Sequence, residues 1–178
     1  MSLTMVIVTR GMLRLMLPAL TWGMGVYALL PFLAPVLQAT GYHQAAEAIY
    51  VGYSLACHQM PERSFFLFGY QMAYCQRDTA IYLTMFIAGL VYNRYPQRFG
   101  PLSIRMYLLL IAPIAIDGFT QLFGLRESTW LLRVVTGALF GGATVWVFYP
   151  RLANAIGEIN TQLTYALYTR RRSSLELS

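Results

Sequence analysis

Charged side chains are scarce in this sequence, and lysine is absent from it altogether. Only 11% of the 178 residues are charged, whereas 57% are hydrophobic. Soluble domains carry charge on about a quarter of their residues, so this composition excludes an ordinary soluble protein. All thirteen basic residues are arginines, and only Arg170, Arg171 and Arg172 form a run. This distribution is typical of the flanks of membrane spans, and we expect no nucleic-acid partner.

Cysteine and histidine are also rare, with two residues of each. Two cysteines exclude a disulfide framework and allow one bridge at most. Both cysteines and one histidine nevertheless fall in a single short segment, as Cys57, His58 and Cys75, between two long apolar stretches. This concentration marks the segment as the place where a metal, a disulfide or a reaction can reside.

The apolar stretches predict an all-α polytopic membrane protein that forms one integral membrane domain over residues 1–178. A helix needs about 20 mostly apolar residues to cross a bilayer. The four predicted spans cover residues 15–37, 79–92, 106–125 and 130–149. Residues 38–78 form the predicted site loop. After Pro150 apolar residues recur at helical spacing, so we expect an amphipathic tail over residues 150–178 on the inner membrane surface or against a partner.

The positions of the arginines predict the orientation, because short connections rich in arginine stay in the cytoplasm. Arg10 and Arg14 precede the first span, and three arginines without an acid fill the connection between the second and third. Arg151 and the triple arginine follow the fourth span, where the run suits anionic lipid headgroups. We therefore expect a multi-pass plasma-membrane protein with both termini in the cytoplasm and the cysteine segment outside.

Three interpretations of the cysteine segment stay open. Cys57 and Cys75 can form a disulfide on the oxidising side of a bacterial membrane, worth roughly 3 kcal/mol in the chain-entropy treatment. With His58 and Asp78 they also offer the thiolate, imidazole and carboxylate ligands that zinc or another divalent metal prefers. They can equally be two buried free thiols beside a structural histidine. Spacing alone does not separate these interpretations.

Polar residues inside the third and fourth spans predict a second part of the site. Asp117 and Gln121 lie one helical turn apart and therefore share a face, and Arg133 lies about one turn into the fourth span. An ionisable residue at the bilayer centre costs roughly 2.5–3.5 kcal/mol, so such residues face the protein interior and pair. We expect Asp117 and Arg133 to meet in the outer half of the membrane. They are a structural ion pair or, together with Gln121, candidate catalytic residues.

These polar residues and the cysteine segment are expected to surround one cavity that opens outward. Besides the candidate ligands and catalytic residues, its predicted lining is Gln59, Arg63, Arg77, Arg126 and Glu127. In the fourth span, Gly137 and Gly141 form a small-residue face of the kind that packs closely against a neighbouring helix. This face and the C-terminal helix are the predicted contacts for membrane-protein partners or a homo-oligomer, within the lipid bilayer.

Two groups of residues carry a resemblance to a known family. The first group comprises Cys57-His58-Gln59, Arg63-Ser64-Phe65, Gly69, Cys75, Arg77 and Ile81-Tyr82. The second comprises Asp117-Gly118, Thr120-Gln121, Gly124, Glu127-Ser128, Arg133, Thr136-Gly137 and Gly141. Together they resemble the signature of domain of unknown function 2085, a family of small polytopic membrane proteins from bacteria and archaea. The resemblance spans roughly residues 50 to 142 and implies a fold and marked positions without an assigned activity.

One departure from the family pattern bears on the chemistry. The pattern resembles C-x-R-C-T-G, whereas this chain reads Cys75-Gln76-Arg77-Asp78-Thr79-Ala80. Asp78 therefore stands where the resemblance implies a further cysteine. A disulfide within that motif is excluded, which puts a redox role of the motif in doubt, while an aspartate can still bind zinc.

Two classes of function follow, with a third behind them. In the first, the protein is a membrane enzyme or metal-handling protein in which Asp117 and Arg133 position a lipid-like or quinone-like substrate beside the metal. In the second, it is a non-catalytic subunit of a larger membrane assembly, for example an electron-transfer complex, and the cysteines are structural. The third class is a small transporter that acts as an oligomer.

Overall fold

The computed structural model describes the backbone of residues 3–176 and the side chains of residues 7–9 and 11–169. In this part of the chain, five α-helices and one hairpin follow one another. The helices are α1 Leu3–Ala39, α2 His43–Ser54, α3 Gln76–Arg94, α4 Ile104–Leu122 and α5 Trp130–Glu176, and the strands are β1 Ser64–Leu67 and β2 Tyr70–Cys75. Short 3₁₀ turns precede β1 and follow α3.

Three helices in the described part of the chain are long and apolar enough to cross a membrane. They are Ile7–Ala39 within α1, Ile104–Leu122, and Trp130–Thr169 within α5. A mostly helical chain with candidate membrane helices is thereby confirmed. The predicted second span is helical as well, as part of α3, but α3 is too polar to count among the candidates, so the number of four spans is not confirmed.

The polar character of α3 follows from its position in the bundle. It packs against both α1 and α5, whereas α4 packs mainly against α5. Gln76, Thr79 and Tyr92 of α3 are buried in these contacts. A helix enclosed by other helices exposes little surface to lipid, so it tolerates polar residues that a peripheral span does not.

The close approach of α3 and α5 depends on two glycines. A Cβ atom on Gly137 would lie 2.7 Å from the backbone oxygen of Arg77, and one on Gly141 would collide with the backbone oxygen of Ile81. The predicted small-residue face is therefore occupied by α3 of the same chain. This corrects the expectation that Gly137 and Gly141 bind a second molecule, because the neighbouring helix is already internal.

The predicted site loop over residues 38–78 is largely regular structure, and it corrects the all-α expectation. It contains α2 and an antiparallel hairpin in which Ser64 lies opposite Cys75 and Leu67 opposite Tyr70. At the turn, Phe68 and Gly69 have φ angles of 54° and 80°. Two positive φ angles are what a two-residue turn of a tight hairpin requires, and glycine supplies one of them without strain.

The predicted tail is helical but does not form a separate element, because α5 continues through Pro150. Arg151 donates from Nη1 to the Val147 oxygen at 2.7 Å and from Nη2 to the Leu102 oxygen at 2.8 Å. The bond to Val147 satisfies a carbonyl in the helical turn that the proline disturbs. The bond to Leu102 connects this turn to the segment just before α4. The side chains of Arg10 and of Arg170, Arg171 and Arg172 lie outside the described residues.

Gly141→Ala is expected to destabilise the protein. The new methyl group meets backbone rather than a movable side chain, so the overpacking cost of about 1–3 kcal/mol applies. Thermal unfolding in detergent would measure it as a lower midpoint. Gly118→Ala is the matched control, since a Cβ at that position in α4 meets nothing within 4 Å. An equal loss of stability in both variants would contradict this account.

Candidate functional site

A cavity of about 440 Å³ lies at the end of the bundle where α3 and α5 begin and α4 ends. Its volume is in the range of small-molecule sites. It gathers nine of the residues that sequence reasoning assigned to the site: Cys57, His58, Gln59, Arg63, Cys75, Arg77, Asp78, Gln121 and Arg133. Asp117 lies just behind the wall, bonded to Arg77. Arg126 and Glu127 are not on the wall.

The hairpin delivers Cys75 to the cavity. Cys75 ends β2 and is also the residue before α3, where its Sγ accepts a hydrogen bond from the Asp78 N–H at 3.4 Å. Serine or aspartate commonly takes this capping position, and here a thiol does so. Gln76 ties the start of α3 back to the hairpin through the Ser64 oxygen at 3.3 Å.

Cys57 and Cys75 are free thiols that lie close together. The Cys75 N–H donates to Cys57 Sγ at 3.2 Å, and Cys75 Sγ donates to Asp78 Oδ2 at 3.1 Å. The ligand atoms of Cys57, Cys75 and Asp78 all lie within 4.8 Å of one another. Zinc bonded to such ligands at roughly 2.0–2.3 Å needs them about 3–4 Å apart, so a small contraction suffices.

His58 does not join this group, although it was a predicted ligand. Among the described residues, the group of candidate ligands that lie together consists of Cys57, Cys75 and Asp78. His58 lines the same cavity with an exposed side chain. Its neighbour Gln59 has a φ of 50° and donates to the Tyr50 oxygen at 2.7 Å. The chain turns sharply at this point, which separates the imidazole from the thiols.

The two thiols differ in acidity. A hydrogen bond from the Cys75 thiol, for which its single S–H turns from Asp78 to Cys57, lowers the pKa of Cys57, and this outweighs the opposing effect of burial. The same hydrogen bond raises the pKa of Cys75, and burial and the nearby Asp78 carboxylate raise it further. Cys57 is therefore the thiol that ionises first, and Cys75 keeps its proton.

Asp117 does not form the predicted pair with Arg133. Its side chain is 1% exposed and accepts from Arg77, from Arg126 Nη2 at 2.8 Å and from Ser128 Oγ at 2.9 Å. Arg133 instead donates to Gln76 Oε1 at 3.0 Å. Both new partners lie in the first turn of α3: Arg77 binds Asp117, and Gln76 binds Arg133.

Gln121 lies between two arginines. Its amide oxygen accepts from Arg77 at 3.4 Å in one orientation. In the flipped orientation, which satisfies both amide atoms, the oxygen accepts from Arg63 Nη2 at 3.0 Å and from Arg63 Nε at 3.2 Å. Gln121 therefore orients guanidinium groups on the wall, a positioning role rather than an acid or base role.

Sequence reasoning missed a tyrosine cluster that closes the cavity behind Cys57. Tyr74 is fully buried, with its ring centroid 4.8 Å from that of Tyr53 and 5.2 Å from that of Tyr82. Tyr27 packs against all three rings. Tyr53 and Tyr74 belong with Cys57 to one core cluster. The available signal was the concentration of aromatic residues on both sides of Gly69, which is typical of two strands that meet at a tight turn.

Gln76 and Ser128 were also missed as members of the network. Both are buried, and each satisfies a charged group through its side chain. A buried polar residue beside a charged one is the signal that indicates such a role, but burial is not visible in a sequence of this composition.

Alkylation of the metal-free protein is expected to modify Cys57 at lower pH than Cys75. The thiolate is the reactive form, and the pKa of Cys57 is lowered while that of Cys75 is raised, so thiolate forms first at Cys57 as pH rises. Mass spectrometry of chelator-treated protein, alkylated across a pH series, measures both rates. Cys75→Ala removes the thiol that lowers the pKa of Cys57 but keeps the backbone N–H bond to Cys57 Sγ, and it should shift Cys57 alkylation to higher pH. Preferential modification of Cys75 would contradict the assignment.

Comparison with known proteins agrees with this geometry. The profile of the family described as "Predicted membrane protein (DUF2085)" matches residues 57–147, from the first cysteine into α5. An uncharacterised protein of Methanocaldococcus jannaschii is 38% identical over 133 residues, which cover 70% of this chain and 85% of the relative. An uncharacterised protein of Methanothermobacter thermautotrophicus is 43% identical over 81 residues, 46% of this chain and 73% of the relative.

No solved structure matches the chain. The matched region contains every residue of the cavity wall except Ala56, and it holds the buried Asp117 as well. The resemblance read from the cysteine and aspartate motifs is therefore confirmed: the chain belongs to the domain of unknown function 2085 family of predicted membrane proteins.

Proposed function

We propose that this protein binds a divalent metal ion, with zinc as the best match, through Cys57, Cys75 and Asp78 in a cavity at the outer end of its membrane bundle. The observation that carries the proposal is the proximity of the three ligand atoms, within 4.8 Å, on the wall of a 440 Å³ cavity. Two thiolates and a carboxylate suit zinc better than magnesium or calcium, which prefer oxygen ligands.

Three protein ligands leave a coordination position open, as in catalytic rather than structural zinc sites. A metal with an open position supplies Lewis-acid chemistry or an activated water. The half-buried setting of Cys75 and Asp78 gives a ligand in the cavity access to that position. A metal-dependent reaction on a lipid-like substrate is therefore the function that this arrangement supports best.

The charges of the site also suit a metal. Two thiolates beside Asp78 would place three negative charges within a few ångströms, and their mutual repulsion disfavours that state without a cation. Binding of a divalent ion offsets most of this charge. Metal binding displaces the thiol protons. The lowered pKa of Cys57 favours this step, because the proton of Cys57 is held less tightly than that of an ordinary thiol.

We further propose four spans, with α3 as the central one, and a cavity on the extracytoplasmic side. The opposite end of the bundle carries Arg94, Arg98, Arg105 and Arg151 without an acidic residue among them. This end suits the cytoplasm by the positive-inside rule. An α5 of 47 residues is about 70 Å long, roughly twice the hydrocarbon core, so it extends well beyond the membrane.

A non-catalytic subunit is the second candidate, and one observation favours it. Among the residues of α4, all of which the structure describes, Asp117 alone is buried, and Leu108, Leu109, Ile116 and Phe119 are exposed along the helix. Lipid satisfies such a surface, but so does another membrane protein. In that case Cys57 and Cys75 are structural, and the protein purifies with other subunits and without metal.

Purified protein is expected to bind about one zinc ion per chain, as a tetrahedral three-ligand site would. Cys57→Ser and Cys75→Ser should abolish binding, and Asp78→Asn should weaken it about tenfold or more, the usual scale for disturbed metal ligation. His58→Gln is the matched control, because His58 lines the same cavity outside the ligand group. Metal analysis and zinc titration in mild detergent measure these values.

Thiol counting on the same sample separates the alternatives. Two free thiols without zinc affinity, or a disulfide between Cys57 and Cys75, would refute the metal site. Loss of zinc from His58→Gln to the same extent as from Cys57→Ser would refute the ligand assignment. Stoichiometric co-purification of other subunits without metal would favour the second candidate instead.

The orientation is tested by thiol labelling in intact cells. A membrane-impermeant reagent is expected to label Cys57 in chelator-treated cells, because Cys57 lines a cavity that faces outward in this proposal and is the thiol that ionises first. The control is Gln97→Cys in a background that lacks both native cysteines, since Gln97 is exposed at the opposite end. It should react only after permeabilisation. The reverse pattern would invert the topology.

A further inference from the structure

Arginine residues dominate the wall of the cavity that faces the thiols. Arg63, Arg77 and Arg133 all line it. Arg126 shares Asp117 with Arg77 just behind this wall. The charged side chains on the wall itself are those of Arg63, Arg77, Arg133 and Asp78, which leaves two positive charges uncompensated there. A divalent metal bound by two thiolates adds no net charge, so the excess is the same with or without metal.

Two of these guanidinium groups keep a donor unused inside the protein. Arg133 is 6% exposed, and its Nη1 is bonded to Gln76 at 3.0 Å. Within the part of the chain that the structure describes, no group accepts from the buried Nε of Arg133 or from that of Arg77. An unpaired buried donor destabilises a protein more when it belongs to a charged group than when it belongs to a neutral one. An added acceptor at the Nε–H of Arg77 or Arg133 would therefore be stabilising.

The edge of Arg133 that carries Nε is the one that suits an oxyanion. Nε shares this edge with Nη2, whereas Gln76 occupies Nη1. A guanidinium binds two oxygens of a phosphate through one such edge. Arg77 and Arg133 also lie in the first turns of α3 and α5. The positive ends of two helix dipoles therefore point to the same side of the bundle and add to the attraction for an anion.

The rim of the cavity is apolar, which indicates a lipid. Leu122 and Met60 line the cavity, and their side chains are 76% and 42% exposed. Phe119 on α4 and Phe123, the residue after its end, stack on each other beside Leu122 with centroids 6.5 Å apart. A molecule whose charged end lies among the arginines thus meets exposed hydrocarbon surface directly outside.

We propose that Arg63, Arg77 and Arg133 bind a phosphate monoester group, and that the apolar rim selects a lipid that carries it. A phosphate monoester has a charge of about −1.5 to −2 at pH 7, which matches the two uncompensated positive charges. Its oxygens meet the guanidinium groups that line the cavity, and a small rotation of Arg133 or Arg77 would bring the buried Nε of each to an acceptor that it lacks. The phosphate site shares the cavity with the metal site of the proposed function but does not require the metal.

Binding of short-chain lipids to the detergent-purified full chain tests this proposal. Calorimetry with dioctanoyl phosphatidic acid is expected to show at least about tenfold tighter binding than with dioctanoyl phosphatidylcholine, the scale of one charge-assisted hydrogen-bond pair. Arg63→Gln and Arg133→Gln should each weaken phosphatidic acid binding about tenfold. Arg98→Gln removes the same charge at the opposite end of the bundle and should change it less than about twofold.

Arg133→Lys separates the guanidinium geometry from the charge. Lysine keeps the charge but loses the two-donor edge, so binding should fall between that of the native protein and that of Arg133→Gln. If Arg133→Gln does not fold, the half-buried Arg63→Gln still decides the matter. Equal affinity for the two lipids, or an equal loss in Arg98→Gln, would overturn the proposal.

Competition with inorganic phosphate tests whether the bound phosphate group belongs to a lipid or to free phosphate. If inorganic phosphate displaces phosphatidic acid only at a far higher concentration than phosphatidic acid itself, the site is assigned to a lipid. Equal potency of inorganic phosphate keeps the arginine site and overturns the lipid. Cys57→Ser should retain phosphatidic acid binding, and Arg133→Gln should retain zinc. Failure of the metal site and failure of the phosphate site are therefore seen in different variants.

Discussion

The buried carboxylate of Asp117 is the interaction on which the cavity depends. It connects three parts of the chain: Asp117 near the end of α4, Arg77 at the start of α3, and Arg126 with Ser128 in the connection to α5. Removing one member of a buried charged set leaves an unpaired charge and costs about 3–5 kcal/mol when all members are buried. The cost is smaller here on the arginine side, because Arg77 and Arg126 are 23% and 43% exposed.

The start of α3 receives several constraints within four residues. The Arg77 side chain is held by Asp117, while its backbone oxygen touches the glycine face of α5. Cys75 and Asp78, on either side of Arg77, belong to the group of candidate metal ligands. A shift of α3 along α5 would therefore disturb the ion pairs and the candidate metal ligands together. The two halves of the cavity are coupled through one turn of one helix.

Sequence reasoning placed the site better than it placed the contacts. Composition indicated the membrane, and nine of the residues that the sequence assigned to the site line one cavity. The pairing of Asp117 with Arg133 was wrong, because span positions define depth but not which of several arginines faces a carboxylate. Arg77 was assigned to the loop, yet it lies in the first turn of α3, within reach of Asp117.

Other differences have local physical causes. The hairpin was hidden because an aromatic run beside a membrane span is equally typical of an interfacial belt. Pro150 predicted a break, but Arg151 bonds to a carbonyl of the disturbed turn, and the helix continues. The glycine face was predicted correctly as a close contact, and its partner was the chain itself. The glycine contact and the partners of Asp117 are long-range contacts, which no local pattern contains, whereas the hairpin and the continuous α5 have local causes.

Asp78 stands where the resemblance to the family implies a cysteine, and this exchange gains a physical meaning from the arrangement of the cavity. A metal-bound thiolate and a carboxylate carry the same charge, so the exchange preserves the electrostatic balance of the cavity. It removes the alternative disulfide within the motif and replaces a soft ligand by a hard one. Chemistry that depends on the charge of a metal and of the facing arginines survives this change, whereas chemistry that depends on a pair of thiols within the motif does not. A cavity that keeps its charge while it loses a thiol is therefore better suited to holding an anionic ligand than to exchanging electrons.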